Sequence, residues 1–336
     1  MPPSHAPTPH PYASLTPDLV LDALETVGVR GDGRLIALGS YENRVYQAML
    51  DDGPPVVVKF YRPGRWSDEA IAEEHAFVRA IADAEVPSVP PRAIDGHTLH
   101  VHAGFRFAVY AKRGGRAPEL DRDEVLEWIG RFLGRLHAVG AQERFVARPA
   151  IDVETFGTAP RALLLDHGFI PAELREAWIA ASALALDGVR RAWERAGDVP
   201  RLRLHGDVHV GNVLWVDGGA ERGPHFVDFD DARTGPSMQD LWMLLSGDRE
   251  SMEQQLGKVL EGYEQFRDLD RRELALIEPL RTLRLLHYSA WIAQRWDDPA
   301  FPAAFPWFGT TRYWQDRILE LREQIGAMGE PPIAAA

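Results

Sequence analysis

One stretch, residues 201–240, constrains this chain of 336 residues more than any other. Leu and Arg alternate over 202–204, and the polar tripeptide His-Gly-Asp at 205–207 ends the alternation. An apolar run at 213–216, a Gly-rich turn and a second apolar run at 225–227 follow. Alternation with period two and short apolar runs bounded by turn residues are typical of β-strands. We therefore predict a strand that enters a polar turn, followed by a β-hairpin.

The predicted hairpin brings the side chains of Asp207, Asn212 and Asp228 together. Phosphoryl transfer from a nucleotide requires a carboxylate that accepts the acceptor's proton and oxygen ligands that hold Mg²⁺ against the phosphates. Protein kinases take an Asp base and an Asn metal ligand from the catalytic loop, and a metal-binding Asp from a following strand. We therefore predict Asp207 as the base, with Asn212 and Asp228 as Mg²⁺ ligands. The alternative, ordinary turn residues between two hydrophobic runs, explains a shorter pattern better than this long one.

Composition and charge exclude several other classes of protein. The chain is long enough for one large domain or two lobes with a substantial core. Its formal net charge of −13 disfavours binding to nucleic acid or to an anionic membrane surface. The absence of cysteine excludes disulfides, thiol nucleophiles and Cys-based zinc sites. Since neither a secretory signal nor a run of about 18 apolar residues occurs, we expect a cytoplasmic enzyme.

The first half of the chain predicts a flexible tail over 1–12 and an antiparallel β N-lobe over 13–112. Residues 35–49 have the pattern of strand, turn and strand, and 56–60 that of a third strand. The polar tip between the first two strands contains Ser40 and would cover a nucleotide. Because Gly39 is its one small residue, this tip differs from the G-x-G-x-x-G loop of protein kinases.

Lys59 ends an apolar, β-branched run, so its aliphatic stem packs while its ammonium group projects into the predicted nucleotide cleft. An ATP-site lysine occupies this strand in kinases, whereas an edge-strand surface lysine is the alternative. The helix that follows, capped by Ser67, buries a face marked by Ile71. Glu74 lies three positions later on the same face, so we predict that Glu74 pairs with Lys59. Glu73 is the alternative partner.

The remaining residues, 113–336, predict a mainly helical C-lobe that includes the catalytic hairpin and the acceptor cleft. Helical periodicity is clear from residue 123 onward and over 172–196. We place the lobe boundary after Lys112 and expect backbone groups near Tyr110 and Lys112 to meet the adenine of ATP. The predicted fold class is α+β, a bilobal protein-kinase-like fold with an antiparallel β N-lobe.

The pattern HGDxHxxN resembles the aminoglycoside phosphotransferase and choline kinase superfamily, in which His-Gly-Asp replaces the His-Arg-Asp of protein kinases. Longer segments over about residues 10–333 resemble the stress response kinase A (SrkA/YihE/RdoA) family. They are SYENRVYQ (40–47), VVKFYRPGRW (57–66), EEHAF (73–77), LRLHGDVHVGN (202–212), FVDFDDARTGP (226–236), QDLWML (239–244) and DPAFPAAFPWF (298–308). The resemblance implies a bacterial, cytoplasmic, monomeric, Mg²⁺- and ATP-dependent Ser/Thr protein kinase. It also implies protection against oxidative or envelope stress and against stress-induced cell death.

Carried over residue by residue, the resemblance implies that Asp207 is the proton acceptor and that Asn212 and Asp228 hold Mg²⁺. It further implies that Asp228 is an active-site residue, that Ser40 belongs to the ATP site and that Asp240 braces the catalytic loop. Because Ser40 would then lie beside the γ-phosphate, its phosphorylation is a further hypothesis.

Two other functions stay open at this point. The same catalytic residues serve small-molecule kinases that act on amino alcohols, sugars or aminoglycosides. A pseudokinase-like nucleotide-binding module is the other, although intact Lys59, Asp207, Asn212 and Asp228 argue against it. The protein substrate that carries the Ser/Thr acceptor is not identifiable from the sequence.

Overall fold

The computed structural model describes residues 10–219 and 222–334. Two compact units account for the chain. Among the described residues, the β unit comprises 10–79, Val89–Arg113 and Arg295–Pro306, and the helical unit comprises Ala80–Ser88, 114–219, 222–294 and 307–334. In chain order the helices and strands are α1 (Pro17–Thr26), β1 (Gly31–Leu38), β2 (Arg44–Leu50), β3 (Val56–Phe60), α2 (Asp68–Asp83), β4 (His100–His102), β5 (Phe105–Ala111), α3 (Asp123–Gly140), α4 (Ala159–Asp166), α5 (Ala172–Ala196), β6 (Leu202–Leu204), β7 (Val213–Val216), β8 (Gly223–Phe226), β9 (Arg233–Gly235), α6 (Met238–Trp242), α7 (Arg249–Tyr263), α8 (Ile277–Ala293), α9 (Ala300–Ala304) and α10 (Thr311–Ala327).

The β unit is built on a five-stranded antiparallel sheet in the order β1-β2-β3-β5-β4. Side chains alternate between the faces of a strand, and on β3 the side chains of Val56, Val58 and Phe60 are fully buried in one apolar cluster with α1. Lys59 lies between them in the strand and therefore faces the opposite side, where Ile71 of α2 packs. This alternation places the Lys59 side chain next to α2.

Two details at the edges of the β unit differ from the sequence-based boundaries. Tyr12, assigned above to the flexible tail, is only 4% exposed, and its hydroxyl donates to the carbonyls of Glu42 and Phe60. The rest of the predicted tail, up to residue 9, lies outside the described residues. Residues 295–306 return to this unit although the sequence assigned all of 113–336 to the C-lobe. A short aromatic segment shows no periodicity from which its packing partner could be predicted.

The helical unit is organised by the close contact of α3 with α7. A Cβ atom on Gly130 would lie 2.0 Å from the carbonyl oxygen of Val259, and one on Gly262 would lie 1.9 Å from that of Glu127. Such separations are shorter than any real contact, so only glycine permits the two helices to approach this closely. The approach brings Tyr263, the last residue of α7, to His137 of α3.

The predicted hairpin is present as β7 and β8, paired antiparallel with Val213 opposite Phe226. The strand before the polar turn is also present, since β6 pairs with β9 in a separate two-stranded sheet. The predicted fold class, α+β with an antiparallel β N-lobe and a mainly helical C-lobe, is confirmed. Within the part of the chain that the structure describes, no helix is both long enough and apolar enough to cross a membrane.

Candidate active site

The loop that carries Asp207, the predicted catalytic loop, begins where the buried strand β6 ends, at His205. The next residue, Gly206, has a φ of +88°, and a Cβ atom there would lie 2.2 Å from the carbonyl oxygen of Asp231. Any other residue would combine a strained left-handed backbone with a steric clash. The glycine of the His-Gly-Asp tripeptide is therefore a steric requirement of the turn that presents Asp207.

The ring of His205 connects this loop to the end of β8. Its Nε2 atom donates to the carbonyl oxygen of Val227 at 2.9 Å, and its Nδ1 atom accepts from the amide of Asp207 at 3.3 Å. Both bonds require the proton on Nε2, which fixes a single neutral tautomer. The ring also packs on Phe229, with 4.4 Å between ring centroids. His205 thus links the main chain at Asp207 to the main chain at Val227, the residue before Asp228.

Asp240, on α6, holds the same loop through hydrogen bonds from main-chain amides. Its Oδ2 atom accepts from the amide of His205 at 2.9 Å, and its Oδ1 atom accepts from the amide of Gly206 at 2.8 Å. His137 Nε2 lies 3.0 Å from Asp240 Oδ2, and His137 Nδ1 lies 2.9 Å from the hydroxyl of Tyr263. Burial raises the pKa of Tyr263, so its hydroxyl is protonated in this contact. The position of Asp240 agrees with the bracing role that the family resemblance implied.

The carboxylate of Asp207 is 20% exposed and has contacts on both oxygens. Asn212 Nδ2 donates to the Asp207 carbonyl oxygen at 3.0 Å, and His209 Nε2 lies 3.4 Å from Oδ2. Arg284 Nη1, on α8, lies 2.8 Å from Oδ1. The Arg284 contact is an ion pair without the angles of a hydrogen bond, so the buried Oδ1 atom has no hydrogen-bond donor among the described residues. Oδ1 is thus buried against Arg284, and the exposed part of the Asp207 carboxyl group is what a substrate hydroxyl can reach.

Electrostatics keep this carboxylate ionised. Burial alone would raise the pKa of Asp207, but the hydrogen bond from His209 and the positive charge of Arg284 outweigh it. The pKa of Asp207 consequently lies below its ordinary value. An ionised carboxylate near neutral pH is the form that a general base requires.

Asn212 and Asp228 stand at the paired ends of β7 and β8, where the amide of Val227 donates to the carbonyl oxygen of Asn212 at 3.1 Å. Because Asn212 Nδ2 is committed to Asp207, its Oδ1 atom is the one that can bind a cation. Asp228 is exposed and has a left-handed backbone, with φ +59°. Such a conformation is uncommon outside glycine and recurs at functional sites.

These donors fit Mg²⁺, which protein sites hold through one or two carboxylates together with substrate phosphates and water. Among the described residues no group of three or more His, Cys, Asp and Glu forms a metal cage of its own. One amide oxygen and one carboxylate, on facing strand ends, suit a cation whose remaining ligands come from a nucleotide.

In the β unit, the predicted pair of Lys59 and Glu74 is present, with 3.8 Å between Lys59 Nζ and Glu74 Oε1. Both side chains are buried, and the ammonium group also lies 5.0 Å from the centre of the Tyr61 ring. The Tyr61 hydroxyl in turn contacts Nε2 of His75 at 2.7 Å and the hydroxyl of Tyr110 at 2.8 Å. The sequence indicated the ion pair through helical periodicity but contained no signal for the Tyr61 network.

The two other positions predicted to contact ATP lie at strand ends. Ser40 is half-buried in the turn between β1 and β2, and Lys112 is exposed immediately after β5. Tyr110, near the end of β5, is joined to Lys59 through Tyr61. The adenine contacts of Tyr110 and Lys112 and the phosphate contact of Ser40 stay predictions.

The turn that carries Ser40 is held by charged residues that the sequence analysis missed. Glu42 is buried, with Arg62 and Arg65 within 3.7 Å of its carboxylate, and it also pairs with Arg295. Strand and helix periodicity does not indicate these ion pairs. Arg295 is also distant from Glu42 in the sequence, since it lies in the segment 295–306.

An antiparallel sheet with a buried Lys–Glu pair, and a helical unit with a braced His-Gly-Asp loop beside oxygen donors, define a kinase-type phosphotransferase. The chain belongs to the APH family, described as the phosphotransferase enzyme family, whose sequence model matches residues 33–277. Stress response kinase A of Escherichia coli O157:H7 is 45% identical over 322 residues, 96% of each chain. The serine/threonine protein kinase RdoA of Salmonella typhimurium is 44% identical with the same coverage.

The same fold occurs in a solved structure of low sequence identity. Amicoumacin kinase hAmiN, in complex with AMP-PNP, Ca²⁺ and Ami, superposes with a TM-score of 0.70. It is 19% identical and is covered over 94% of each chain. The similarity shows a shared fold, and the match to the APH family places the chain among phosphotransferases.

Proposed function

We propose that this protein is an ATP- and Mg²⁺-dependent Ser/Thr protein kinase of the bacterial stress response, active against oxidative or envelope stress. The observation that carries the proposal is the ionised, partly exposed carboxylate of Asp207, in a loop that Asp240 holds through main-chain amides and next to Asn212. A protein acceptor is supported by the relatives named stress response kinase A and serine/threonine protein kinase RdoA.

In the proposed reaction the hydroxyl oxygen of a Ser or Thr attacks the γ-phosphorus of ATP. The hydroxyl proton passes to the Asp207 carboxylate, and the bond between the γ-phosphorus and the bridging oxygen breaks with its electron pair remaining on ADP. Asn212 and His209 keep the carboxylate oriented through their contacts with the main chain and Oδ2. Positioning of this kind supplies most of the catalysis in phosphoryl transfer, since little covalent chemistry is required of the protein.

Asn212 Oδ1 and the Asp228 carboxylate would hold Mg²⁺, which when bound neutralises the charge that develops on the transferring phosphoryl group. Lys59 would bind phosphate oxygens of ATP, and Glu74 keeps its ammonium group in place through their ion pair. Ser40 would contribute to the nucleotide site from the turn between β1 and β2.

The proposal is tested with Asp207→Asn, which keeps the shape of the side chain but cannot accept the proton. We expect phosphate transfer from radiolabelled ATP to protein extracts to fall about 10³-fold, while nucleotide binding persists. Asp187→Asn is the matched control, because Asp187 also pairs with an arginine at 2.8 Å but lies exposed on α5. Full turnover in Asp207→Asn would remove Asp207 from the role of base.

A small-molecule kinase is the second candidate, because amicoumacin kinase shares the fold. A panel of amino alcohols, sugars and aminoglycosides, assayed beside the protein extracts, separates the two functions. Phosphate appearing only on a small molecule would replace the protein-kinase proposal. Nucleotide binding without transfer to either class of acceptor would instead indicate a pseudokinase-like module.

A further inference from the structure

A cavity of about 540 Å³ opens on the helical unit beside Arg284. Its walls come from the end of α6, from α8 and from α10, and include Trp242, Arg281, Arg284, Tyr288 and Arg317. Cavities of this size hold small ligands or a few side chains of a bound peptide. Three arginines and two aromatic rings form much of its lining, together with Glu320 and Glu323.

Arg284 joins this cavity to the proposed base. Its side chain is 34% exposed, and Asp207 is its one ion-pair partner among the described residues. A guanidinium group carries five N–H donors in a planar fork, and a carboxylate or phosphate can use two of them at once. The contact through Nη1 leaves the other donors of Arg284 for a ligand in the cavity.

The other two arginines are more fully engaged. Arg281 donates to Glu278 at 3.0 Å and lies over the ring of Trp242, and Arg317 pairs with Glu320. The Nε atom of Arg317 is nevertheless buried without a hydrogen-bond acceptor among the described residues. The lining of the cavity contains three arginines and two glutamates, so its formal charge is positive and favours an anion.

We infer that this cavity binds an acidic side chain, a carboxylate or a phosphate, that lies near the acceptor Ser or Thr of a peptide substrate. The inference rests on the proposed function and names the substrate class of the same site. Arg284 is the specificity-determining residue, because one edge of its guanidinium holds Asp207 while its other donors reach the anion. A cationic acceptor is disfavoured at this position, since Arg284 would repel it.

The experiment measures kcat/KM for three Ser-containing peptides whose flanking residues are Glu, Ala or Lys, and for a fourth with a flanking phosphoserine. We expect the wild-type chain to prefer the acidic and phosphorylated peptides over the Ala peptide by about tenfold. Arg284→Gln should reduce that ratio to about twofold or less, and Arg284→Lys should retain part of it. Using the ratio within each variant cancels any general loss caused by breaking the Arg284–Asp207 ion pair.

Arg190→Gln is the matched control, because Arg190 pairs with Asp187 on α5 as Arg284 does with Asp207. The control should keep the wild-type ratio, and ATP-induced thermal stabilisation verifies that each variant folds. Peptide phosphorylation without an acidic preference, or with a preference that Arg284→Gln retains, overturns the inference while the protein-kinase proposal stands. Phosphate on small molecules alone, including anionic ones, overturns both.

Discussion

Two loops with predicted roles in phosphate transfer are held by different kinds of buried network. In the helical unit, Asp240 receives hydrogen bonds from the main-chain amides of His205 and Gly206. In the β unit, Glu42 and Asp298 hold the turn around Ser40 through arginine side chains, and the one main-chain amide that Asp298 accepts from, that of Ala300, lies outside this turn.

The arginine network spans long separations in the sequence. Asp298 accepts from Arg62 Nη1 at 2.9 Å and from Arg44 Nη2 at 3.2 Å, and its side chain is 1% exposed. Arg44 also donates to the carbonyl oxygen of Tyr41, within the turn itself. Several arginine side chains thus hold the turn around Ser40, whereas the single carboxylate of Asp240 holds the loop that carries Asp207.

The two loops should therefore respond differently to the loss of a single contact. Hydrogen bonds to main-chain amides fix the backbone directly, so their loss moves the residue that follows, Asp207. Arginine side chains have several rotatable bonds and alternative donors, so the turn around Ser40 can adjust when one contact is lost. We expect that removal of the Asp240 carboxylate causes a large loss of stability and of phosphate transfer. Removal of one charged side chain around Ser40 should cause a smaller loss, because several ion pairs contribute there.

Asp240→Ala should produce the largest effect, because it leaves two buried amides and His137 without their acceptor. We expect a loss of about 4 kcal/mol in the free energy of unfolding and of most phosphate transfer. Urea denaturation and a transfer assay measure the two quantities. Asp316→Ala, at an exposed ion pair with Arg312, is the control and should change stability by less than about 0.5 kcal/mol. A comparably small change in Asp240→Ala would contradict the expected difference between the two networks.

Glu273, which contacts the start of α6, should make the stability of the folded state depend on pH. It accepts from the amide of Met238, at the start of α6, at 2.8 Å, and burial raises its pKa to about 7. Because the folded pKa exceeds the unfolded value, the folded state binds the proton more tightly. The stability contributed by this group is present below the unfolded value and is lost as the pH rises through about 7, by about 3 kcal/mol in total.

Urea midpoints measured between pH 4.5 and pH 8 test this prediction, with Glu273→Gln as the comparison. The variant keeps a neutral side chain at every pH, so its stability should vary less over that window. An equal pH dependence in both chains would assign the effect to other groups.

Asp298→Ala should produce the smallest effect of the three. The change removes an acceptor of Arg44 and Arg62, but both arginines keep contacts with Tyr41 and Glu42, respectively. We therefore expect a loss of about 2 kcal/mol in the free energy of unfolding. If the turn around Ser40 binds nucleotide, the KM for ATP should rise severalfold while kcat changes less. Initial rates over a range of ATP concentrations separate the two constants. A fall in kcat equal to that in Asp240→Ala would show that the networks do not differ as described.

Much of the candidate site could be predicted because its residues lie close together in the sequence. Asp207 and Asn212 are five positions apart, and the hairpin that brings Asn212 to Asp228 shows itself as two short apolar runs. The pairing of Lys59 with Glu74 follows from alternation along a strand and periodicity along a helix. Periodicity reports which face of an element is buried, and that information is local.

From the sequence alone one can predict the fold class, the antiparallel strands of the β unit, the hairpin between Asn212 and Asp228, and the pairing of Lys59 with Glu74. The catalytic and metal-binding roles of Asp207, Asn212 and Asp228 stay predictions. The tertiary structure alone decided that Asp298 meets Arg62, 236 positions away, and that Arg284 lies against Asp207. Such contacts depend on the path of the whole backbone, because two side chains on separate elements meet only where packing places those elements side by side. No local pattern of residue types encodes that path.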